Sequence, residues 1–503
     1  MWPLRRKNKD QQPAEARGRT ATTPRVIQAR YDAAQTTRDN ARHWAMADSL
    51  SADSSASEDV RRKLRERARY EVANNSYAKG IVLTLANDCI GTGPRLQLLS
   101  GHDKTNHDVE VAFTQWARAV NLPEKLRTMR MAKSTDGETF AILTENPSID
   151  SPVSLDIRLV EADRVVSPDY SSSTDIDGIT LDAYGNPSSY SILRNHPGDP
   201  GSPRSLSTWQ TPYDIVPADA VIHWFRGDRP GQHRGVPEIT PALPLFAQLR
   251  RYTLAVIAAA ETAADFAAVL FTDSPANGEA QALEPMDVVS LEKRMATVLP
   301  DGWRLGQIEA QQPTTTYAEF KHEILNEIAR CLNLPFNVAA GNSAGYNYAS
   351  GRLDHQTYFK SIRVEQAHLA EQVLDRIFSA WLHEAQIVLG LGRQTTIAHQ
   401  WFFDGTEHVD PAKEANAQAT RLSSNTTTLA AEYARQGKDW EVELHQRAKE
   451  LTLMNKLGLM PAPPESPVSP EPPKSQASPS TNPNDMEDQL DDINDANQDA
   501  DAA

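Results

Sequence analysis

Gly341-Asn342-Ser343-Ala344-Gly345 is the stretch whose residue types and spacing could do covalent chemistry. G-x-S-x-G is the spacing of a nucleophile elbow, a tight turn that presents a serine hydroxyl to an acyl carbon. Asp354 or Asp404, and then His399 or His408, follow in the order Ser, Asp, His that an acyl-transfer triad can take. The surroundings do not suit that chemistry. An elbow needs an apolar strand feeding the turn and a helix straight after it, within a large parallel sheet. Here a helical pattern ending Asn333-Leu334-Pro335 precedes the turn, and Tyr346-Asn347-Tyr348 after it reads as loop. No upstream glycine cluster could supply an oxyanion hole. A serine hydrolase using Ser343 is the minor reading, and a loop that its glycines allow to bend is the leading one.

Other constellations fall short in the same way. Gly437-Lys438 lacks the upstream glycine of a phosphate-binding loop, so a motor ATPase is not expected. His322-Glu323 and His383-Glu384 have no second histidine at helical spacing, which leaves zinc hydrolysis unsupported. Asp175-Ile176-Asp177-Gly178 reads as a turn rather than a cation site. Ile222-His223-Trp224-Phe225-Arg226 mixes aromatic and basic residues, as nucleic-acid stacking surfaces do, but it alternates as a half-buried strand does. The arginines Arg61, Arg62, Arg65, Arg67 and Arg69 read as a solvated helix face. No catalytic residue, metal site or cofactor is expected.

The elements behind these residues are mainly helical. A helix is predicted from Ser57 to about Ile90, with Ala78, Ile81 and Leu85 on one face and a stop at Gly91, Gly93 and Pro94. Two more are predicted at Asn106–Val120 and Pro123–Lys133. Short β-branched runs follow at Glu138–Glu145, Ser154–Val160, Ser188–Leu193 and Ala220–Arg226, separated by Gly and Pro turns. They predict an α+β unit with antiparallel pairing, and Asn195–Pro212 reads as an exposed loop. A long helix should start at Thr240-Pro241, with Thr240 as N-cap, and run to Val269, about 43 Å at 1.5 Å per residue. Its stripe holds Phe246, Leu249, Val256, Ala260 and Ala263. An irregular insert with one helix, Pro285–Val298, precedes a returning helix at Tyr317–Asn333. After the loop Gly341–Gly351, one amphipathic helix is predicted over Leu353–Leu389, then helices at Pro411–Asn425, Thr428–Gly437 and a last one ending near Leu457.

Composition sets further bounds. At 503 residues the chain is too long for one core. Cys89 and Cys331 are far apart, without metal spacing, and read as buried reduced thiols that suit a reducing cytoplasm. No signal peptide is evident, and the most apolar segment, Leu254–Phe271, is broken by Glu261 and Asp265, so no membrane span is expected. The net charge is −16, with eight Arg/Lys against two acids in residues 1–30 and ten acids against Lys474 after residue 460. Such an acidic body does not suit tight, sequence-specific DNA binding, which needs a basic footprint. It does not argue against a protein that lets DNA slide past.

Three blocks carry a resemblance to a known family. The first is Tyr70 through Gly93, with Asn74-Asn75-Ser76-Tyr77-Ala78-Lys79-Gly80 at its centre. The second is Val221-Ile222-His223-Trp224-Phe225-Arg226, then Arg229-Pro230-Gly231-Gln232 and Arg234-Gly235-Val236-Pro237. The third is Ala329-Arg330-Cys331-Leu332-Asn333-Leu334-Pro335, followed by Gly341 and Tyr346-Asn347-Tyr348-Ala349-Ser350-Gly351-Arg352. Together they resemble the phage portal proteins of the lambda type and anchor about residues 55–390. The third departs from the family pattern at Gly351, where serine is usual.

The resemblance implies a homo-oligomeric ring, usually of twelve subunits, at one capsid vertex of a virion assembled in the bacterial cytoplasm. It implies a non-enzymatic conduit for double-stranded DNA in packaging and ejection. The implied partners are the terminase large subunit, major capsid and scaffold proteins, and head-completion or adaptor proteins. On this reading residues 1–50 are a flexible basic extension, 51–237 an α+β wing, and 238–270 a stem helix. Residues 271–315 are the clip, 316–335 the returning stem helix, and 336–352 the tunnel loop. A long wing or channel helix takes 353–395, a helical crown 396–460, and a disordered acidic, Pro-rich tail 461–503. Asn342, Ser343, Tyr346, Asn347 and Tyr348 then face DNA, offering neutral polar contacts that break easily.

Overall fold

The computed structural model describes residues 38, 41–100, 103–168, 175–199, 213–265, 269–272, 303–306, 316–345, 347–390, 397–405 and 411–459. The chain divides into two compact units, Met1–Asp439 and Trp440–Ala503. In the second, α13 (Trp440–Leu457) is the one described helix; its labelled predecessors all lie in the first.

The first unit opens with α1 (Ala52–Ser55), then α2 (Glu58–Asn74) and α3 (Ser76–Ile90). These last two replace the single helix predicted from Ser57 to Ile90. Asn75 makes the break. Its backbone is extended (φ −121°, ψ 116°), and its side-chain oxygen accepts from the amides of Tyr77 and Ala78, capping α3. An asparagine that caps a new helix competes with continuing the old one. The predicted apolar face holds, since Ala78, Ile81 and Leu85 are all buried. After Gly91 come β1 (Arg95–Leu98), α4 (Asp103–Ala119) and α5 (Leu122–Asp136), which Gly137 ends in the left-handed region.

The predicted strands form and pair antiparallel throughout. β2 (Glu138–Glu145) takes β3 (Leu155–Val160) on one edge. β4 (Asp175–Ile176), β5 (Ile179–Leu181), β6 (Pro187–Leu193) and β7 (Tyr213–Pro217) make a second, four-stranded sheet in that order. The Asp177-Gly178 turn joins β4 to β5, with φ of 47° and 86° at its two residues, as a tight two-residue hairpin requires. β8 (Val221–Phe225) returns to the other edge of β2. Phe140, Ile142, Tyr190, Ile192 and Val221 fill the space between the two sheets.

The long helix differs from expectation at both ends. Thr240–Ala242 is a single 3-10 turn with Ile239 in the capping position, and α6 (Leu243–Asp265) follows it. Thr240 caps nothing; its hydroxyl is buried without a hydrogen-bond partner. Val269 lies not in the helix but in β9 (Val269–Thr272), which pairs with β10 (Trp303–Gly306). The β-branched and aromatic side chains there favour a strand. The helix predicted at Pro285–Val298 and most of the loop Asn195–Pro212 lie outside the described residues.

α7 (Thr316–Cys331) returns against α6, and α8 (Phe336–Ala340) follows it. The predicted helix Leu353–Leu389 is two helices, α9 (Tyr348–Leu369) and α10 (Asp375–Val388), joined by a π-helical turn at Ala370–Leu374. The wider turn has a clear effect. Tyr358 and Ile362 belong to the core around Phe246, Leu249 and Ile328, whereas Leu369, Ile377 and Trp381 belong to the core around Phe113 and Trp116. One extra residue rotates the apolar stripe by about 100°, which passes a continuous helix from one core to the other.

Beyond α10, β11 (His399–Phe402) was not foreseen. It pairs with β1 some 300 residues earlier in sequence (Arg95 opposite Phe402), so this stretch is not helical. α11 (Pro411–Ser423) and α12 (Leu429–Arg435, capped by Thr428) complete the first unit, tied by Arg421 to Glu414 and Glu432.

Two of the α2 arginines overturn the solvated-face expectation. Arg61 and Arg65 are buried, and they meet a network of acids from distant segments. Arg61 pairs with Asp177, Arg65 with Asp163, and Arg69 with both Asp136 and Asp163. At its centre Glu138 is fully buried. It accepts from Arg234 Nη2 at 2.7 Å, from the amide of Gly235 at 2.9 Å, and faces His223 Nε2 at 3.1 Å. Burial opposes the Glu138 charge, but Arg234 and His223 outweigh it and hold the carboxyl well below its usual range.

Candidate DNA-channel loop

The loop after α7 is built from its anchors. Pro335 leads into α8, and Gly341 closes that helix in the left-handed region (φ 62°), with Asn342 N donating to Asn337 O at 3.1 Å. Asn342 then turns the chain again, its side-chain oxygen accepting from Ala344 N at 2.9 Å. Gly345 supplies a second positive φ of 78°, and the Asn347 carbonyl accepts the first bond of the next helix from Gly351 N. Nδ2 of Asn337 lies 3.0 Å from His355 Nε2, which ties α8 to α9 beneath the loop. Two glycines and two asparagines thus hold an exposed bend between two fixed helices.

The predicted site residues fall unevenly. Asn342, Ser343 and Asn347 are exposed on the bend. Tyr346 lies outside the described residues. Tyr348 is the first residue of α9, not part of a loop reaching to Gly351, and its side chain lies outside the description. The stretch Phe336–Ala340, expected as loop, is helical because Pro335 pre-sets an extended residue ahead of it and Ala339 buries against α7 and α9. In the predicted stem stripe, Phe246 and Leu249 are buried, Val256 is half-buried and Ala260 is exposed. Ala263 lies in α6 but its side chain is outside the description.

Among the described residues the hydrolase reading finds no support. Ser343 follows a helix and not a strand. His399 is committed elsewhere, facing the Ile397 carbonyl at 2.8 Å and Asp375 at 3.1 Å. Asp404 accepts from the amide and hydroxyl of Thr92. His408 lies outside the described residues. Cys89 is no nucleophile either, since burial pushes its thiol up to about 12.

The second described feature is the excursion between α6 and α7. Cys331 Sγ at the end of α7 meets the Glu238 carbonyl ahead of α6 at 3.4 Å, and Thr253 faces the Tyr317 hydroxyl at 3.2 Å. Farther out, Val269 pairs with Gly306 and Thr272 with Trp303. Three rungs of one antiparallel ladder therefore carry the chain out and back. Tyr252 lies against Tyr317 and Phe320 along it, with ring centroids 5.6 and 4.6 Å apart.

Sequence reasoning missed what the R-G-V-P block does. Arg234 also donates to the backbone carbonyls of Val165 and Asp177, so it closes three segments around Glu138. Gln232 shapes the preceding turn by accepting from the amides of Asp228 and Arg229 and donating to Arg234 O. Next along, Glu238 pairs with Arg130 at 2.8 Å; burial opposes its charge, but Arg130, Lys133 and Arg226 hold its carboxyl down at about 2. The signal available in the sequence was the pairing of a polar-rich block with buried-strand neighbours, which points to a lock and not to a ligand.

An α+β body, a paired-helix excursion and an exposed neutral bend define a structural subunit, with no assembled catalytic group among the described residues. The chain belongs to the lambda family of phage portal proteins: the family described as "Phage portal protein, lambda family" matches residues 37–366. It is similar to a probable portal protein of Halomonas phage phiHAP-1, 22% identical over 435 residues that cover 79% of this chain and 81% of that one. Among solved structures it is similar to a chain of the virion of a native gene transfer agent particle (TM-score 0.47, 13% identity, 74% of this chain and 92% of that one). Another is an HK97 family phage portal protein from Corynebacterium diphtheriae (TM-score 0.29, 14% identity, 68% and 98%). As a portal protein it is a ring-forming conduit for DNA at the capsid vertex of a virion.

Proposed function

We propose that the ring has twelve subunits and that its parts divide as the sequence blocks suggest. α6 and α7 form the stem, the segment between them the clip that receives the terminase large subunit, and residues 51–237 the wing against the major capsid and scaffold proteins. The bend Gly341–Asn347 faces double-stranded DNA, and α11 and α12 stand in the crown. Head-completion or adaptor proteins dock at the clip end after packaging. The observation that carries this reading is the antiparallel pairing from Glu238/Cys331 to Thr272/Trp303, which is anchored in a core at its inner end by Phe246, Leu249 and Ile328 and continues outward as β9 and β10. The protein's work is geometric, with ATP energy supplied by a motor on another chain.

Electron microscopy of the purified protein tests the number: hollow rings with twelve-fold averages are expected, and a lone monomer at all concentrations overturns the reading. Replacing Asn342, Ser343, Tyr346, Asn347 and Tyr348 by alanine tests the bend. Packaging or DNA retention should fall, and unchanged values for both would remove the loop's role.

A further inference from the structure

Residues 41–51 are all exposed, the longest such run among the described residues of the first unit. Short-range bonds still shape the stretch: Ala47 N donates to Trp44 O at 3.0 Å and Leu50 N to Asp48 Oδ1 at 3.0 Å. Trp44, 57% exposed, is the one exposed tryptophan among the described residues, and Met46, at 94%, is the barest of their large apolar side chains. Groups of this kind are normally covered. Neither joins any of the hydrophobic cores. The root of the stretch is firmly held. Arg229 donates to Leu50 O and to Ser55 Oγ, each at 3.0 Å, and His233 meets Asp53 through its amide at 2.9 Å and its ring at 2.8 Å. A fixed root with an apolar tip outside the cores is an arm.

The same subunit leaves a groove of about 770 Å³ between α2 and the start of α6, with Leu64, Arg67, Tyr70, Leu243, Pro244 and Ala247 in its lining. Its volume is in the range of pockets that enclose a drug-sized group, which is room for an indole and a thioether chain. Tyr70 is more than half exposed there, with the Arg250 guanidinium 5.0 Å over its ring. None of residues 41–51 lines the groove, so the subunit does not fill it with its own arm. Charge does not oppose the fit. The other charged lining residues, Lys63, Glu66 and Glu71, bring the groove to neutrality with Arg67. Asp48 of the arm and Arg67 of the groove both lack an ion pair among the described residues.

We infer that residues 41–51 lie in the α2/α6 groove of a second copy of this chain, the next subunit of the ring, with Trp44 and Met46 inserted. The inference rests on the ring-forming reading and adds a contact to it. A closed ring is joined head to tail, so each chain must carry two different surfaces that fit each other. An apolar arm and an apolar groove are such a pair, and every subunit brings one of each. Buried tryptophan is also the commonest kind of anchor in protein interfaces. Because Arg229 and His233 stand in the chain that leads into α6, the arm ties that region of one subunit to the start of α6 in the next.

The test uses full-length rings of Met46→Cys/Arg67→Cys, two exposed sites, treated with a short bifunctional maleimide and separated under denaturing conditions. Dimers and a ladder of higher multimers are expected, absent from the parent and from either single variant, which control for Cys89 and Cys331. A product linked only within one chain overturns the inference, because the arm then folds onto its own groove. Intact rings without any new link also overturn it, and leave the ring reading standing. Trp44→Ala gives a second readout. Its rings should dissociate on dilution about tenfold faster or more, as loss of an interface tryptophan does. The urea midpoint of the separated subunit should stay as in the parent, since Trp44 is in none of its cores. An unchanged ring lifetime overturns the arm. A parent chain that forms no ring overturns the ring reading and the arm with it.

Discussion

Arg234 grips Glu138 through both ends of its guanidinium, with Nη2 to Oε1 at 2.7 Å and Nε to Oε2 at 2.9 Å, and both side chains are buried. Ninety-six residues separate them in sequence, and the pair fixes the R-G-V-P block to the start of the central strand β2. Because that block leads into α6, the same pair sets where the paired-helix excursion leaves the body.

Breaking one side of this pair should be costly. Glu138→Gln leaves Arg234 and nearby Arg65 without their shared buried counter-charge, a situation that typically costs about 3–5 kcal/mol. Urea denaturation should show the midpoint falling accordingly. A change under about 1 kcal/mol would mean that water reaches the site and screens it.

Acid should weaken the fold through the neighbouring pair. The Glu238 carboxyl stands at about 2 in the folded chain against an ordinary 4.5, so folding favours its ionised form. That contribution is fully present above about pH 4.5 and is lost as pH falls from there towards 2, because the unfolded chain takes up the proton first. Glu138 is depressed in the same direction and adds to the loss. The urea midpoint followed from about pH 6 to pH 3 should decline, and Glu238→Gln should be less stable at pH 6 with a flatter profile. A parallel decline in the variant would assign the acid sensitivity to other carboxylates.

Two polar residues at helix starts make opposite predictions. Asn75→Ala removes the oxygen that caps α3 and should cost about 1 kcal/mol. Thr240→Val exchanges a buried hydroxyl with no hydrogen-bond partner for a methyl of similar size, so it should be neutral or slightly stabilising. Thermal denaturation of both variants decides the matter. A loss for Thr240→Val equal to that for Asn75→Ala would restore Thr240 as a cap.

These two positions also mark how far the sequence could be read. Patterns within one element were legible: β2 was expected at Glu138–Glu145, where it lies, and the alternation in Val221–Phe225 identified a half-buried strand. The Asn75 break was not, because the apolar stripe continues across it and the cap competes locally with a helix of equal propensity. Arg61 and Arg65 looked like surface residues because their partners Asp177 and Asp163 lie about a hundred residues away. β11 was hidden for the same reason, being too short to stand without β1. The π-turn at Ala370–Leu374 follows from two cores meeting one helix, which no window of sequence displays. Of the candidate site, the glycine-bounded bend was legible from composition, while its true length depended on α8 packing against α7.

The crossing of two glycines offers the sharpest test of the lock. A side-chain carbon on Gly235 would collide with the Gly137 carbonyl and with Glu138 Cβ, and one on Gly137 would collide with the backbone of Val236 and Pro237. The two chain segments therefore touch backbone to backbone, and this contact lets the Gly235 amide reach Glu138 Oε2 at 2.9 Å. Gly235→Ala must push the segments apart, lengthening that bond and the Arg234 contacts together. A loss of about 3 kcal/mol or more is expected, since overpacking and a disturbed buried network act at once. Gly231→Ala is the matched control. Gly231 has a positive φ of 74° but open space around it, so it should lose only the backbone term of about 1–2 kcal/mol. Urea midpoints separate the two. If Gly235→Ala loses no more than Gly231→Ala, the R-G-V-P block is an ordinary turn, and the starting direction of α6 must be set by Glu238 and Arg130 instead.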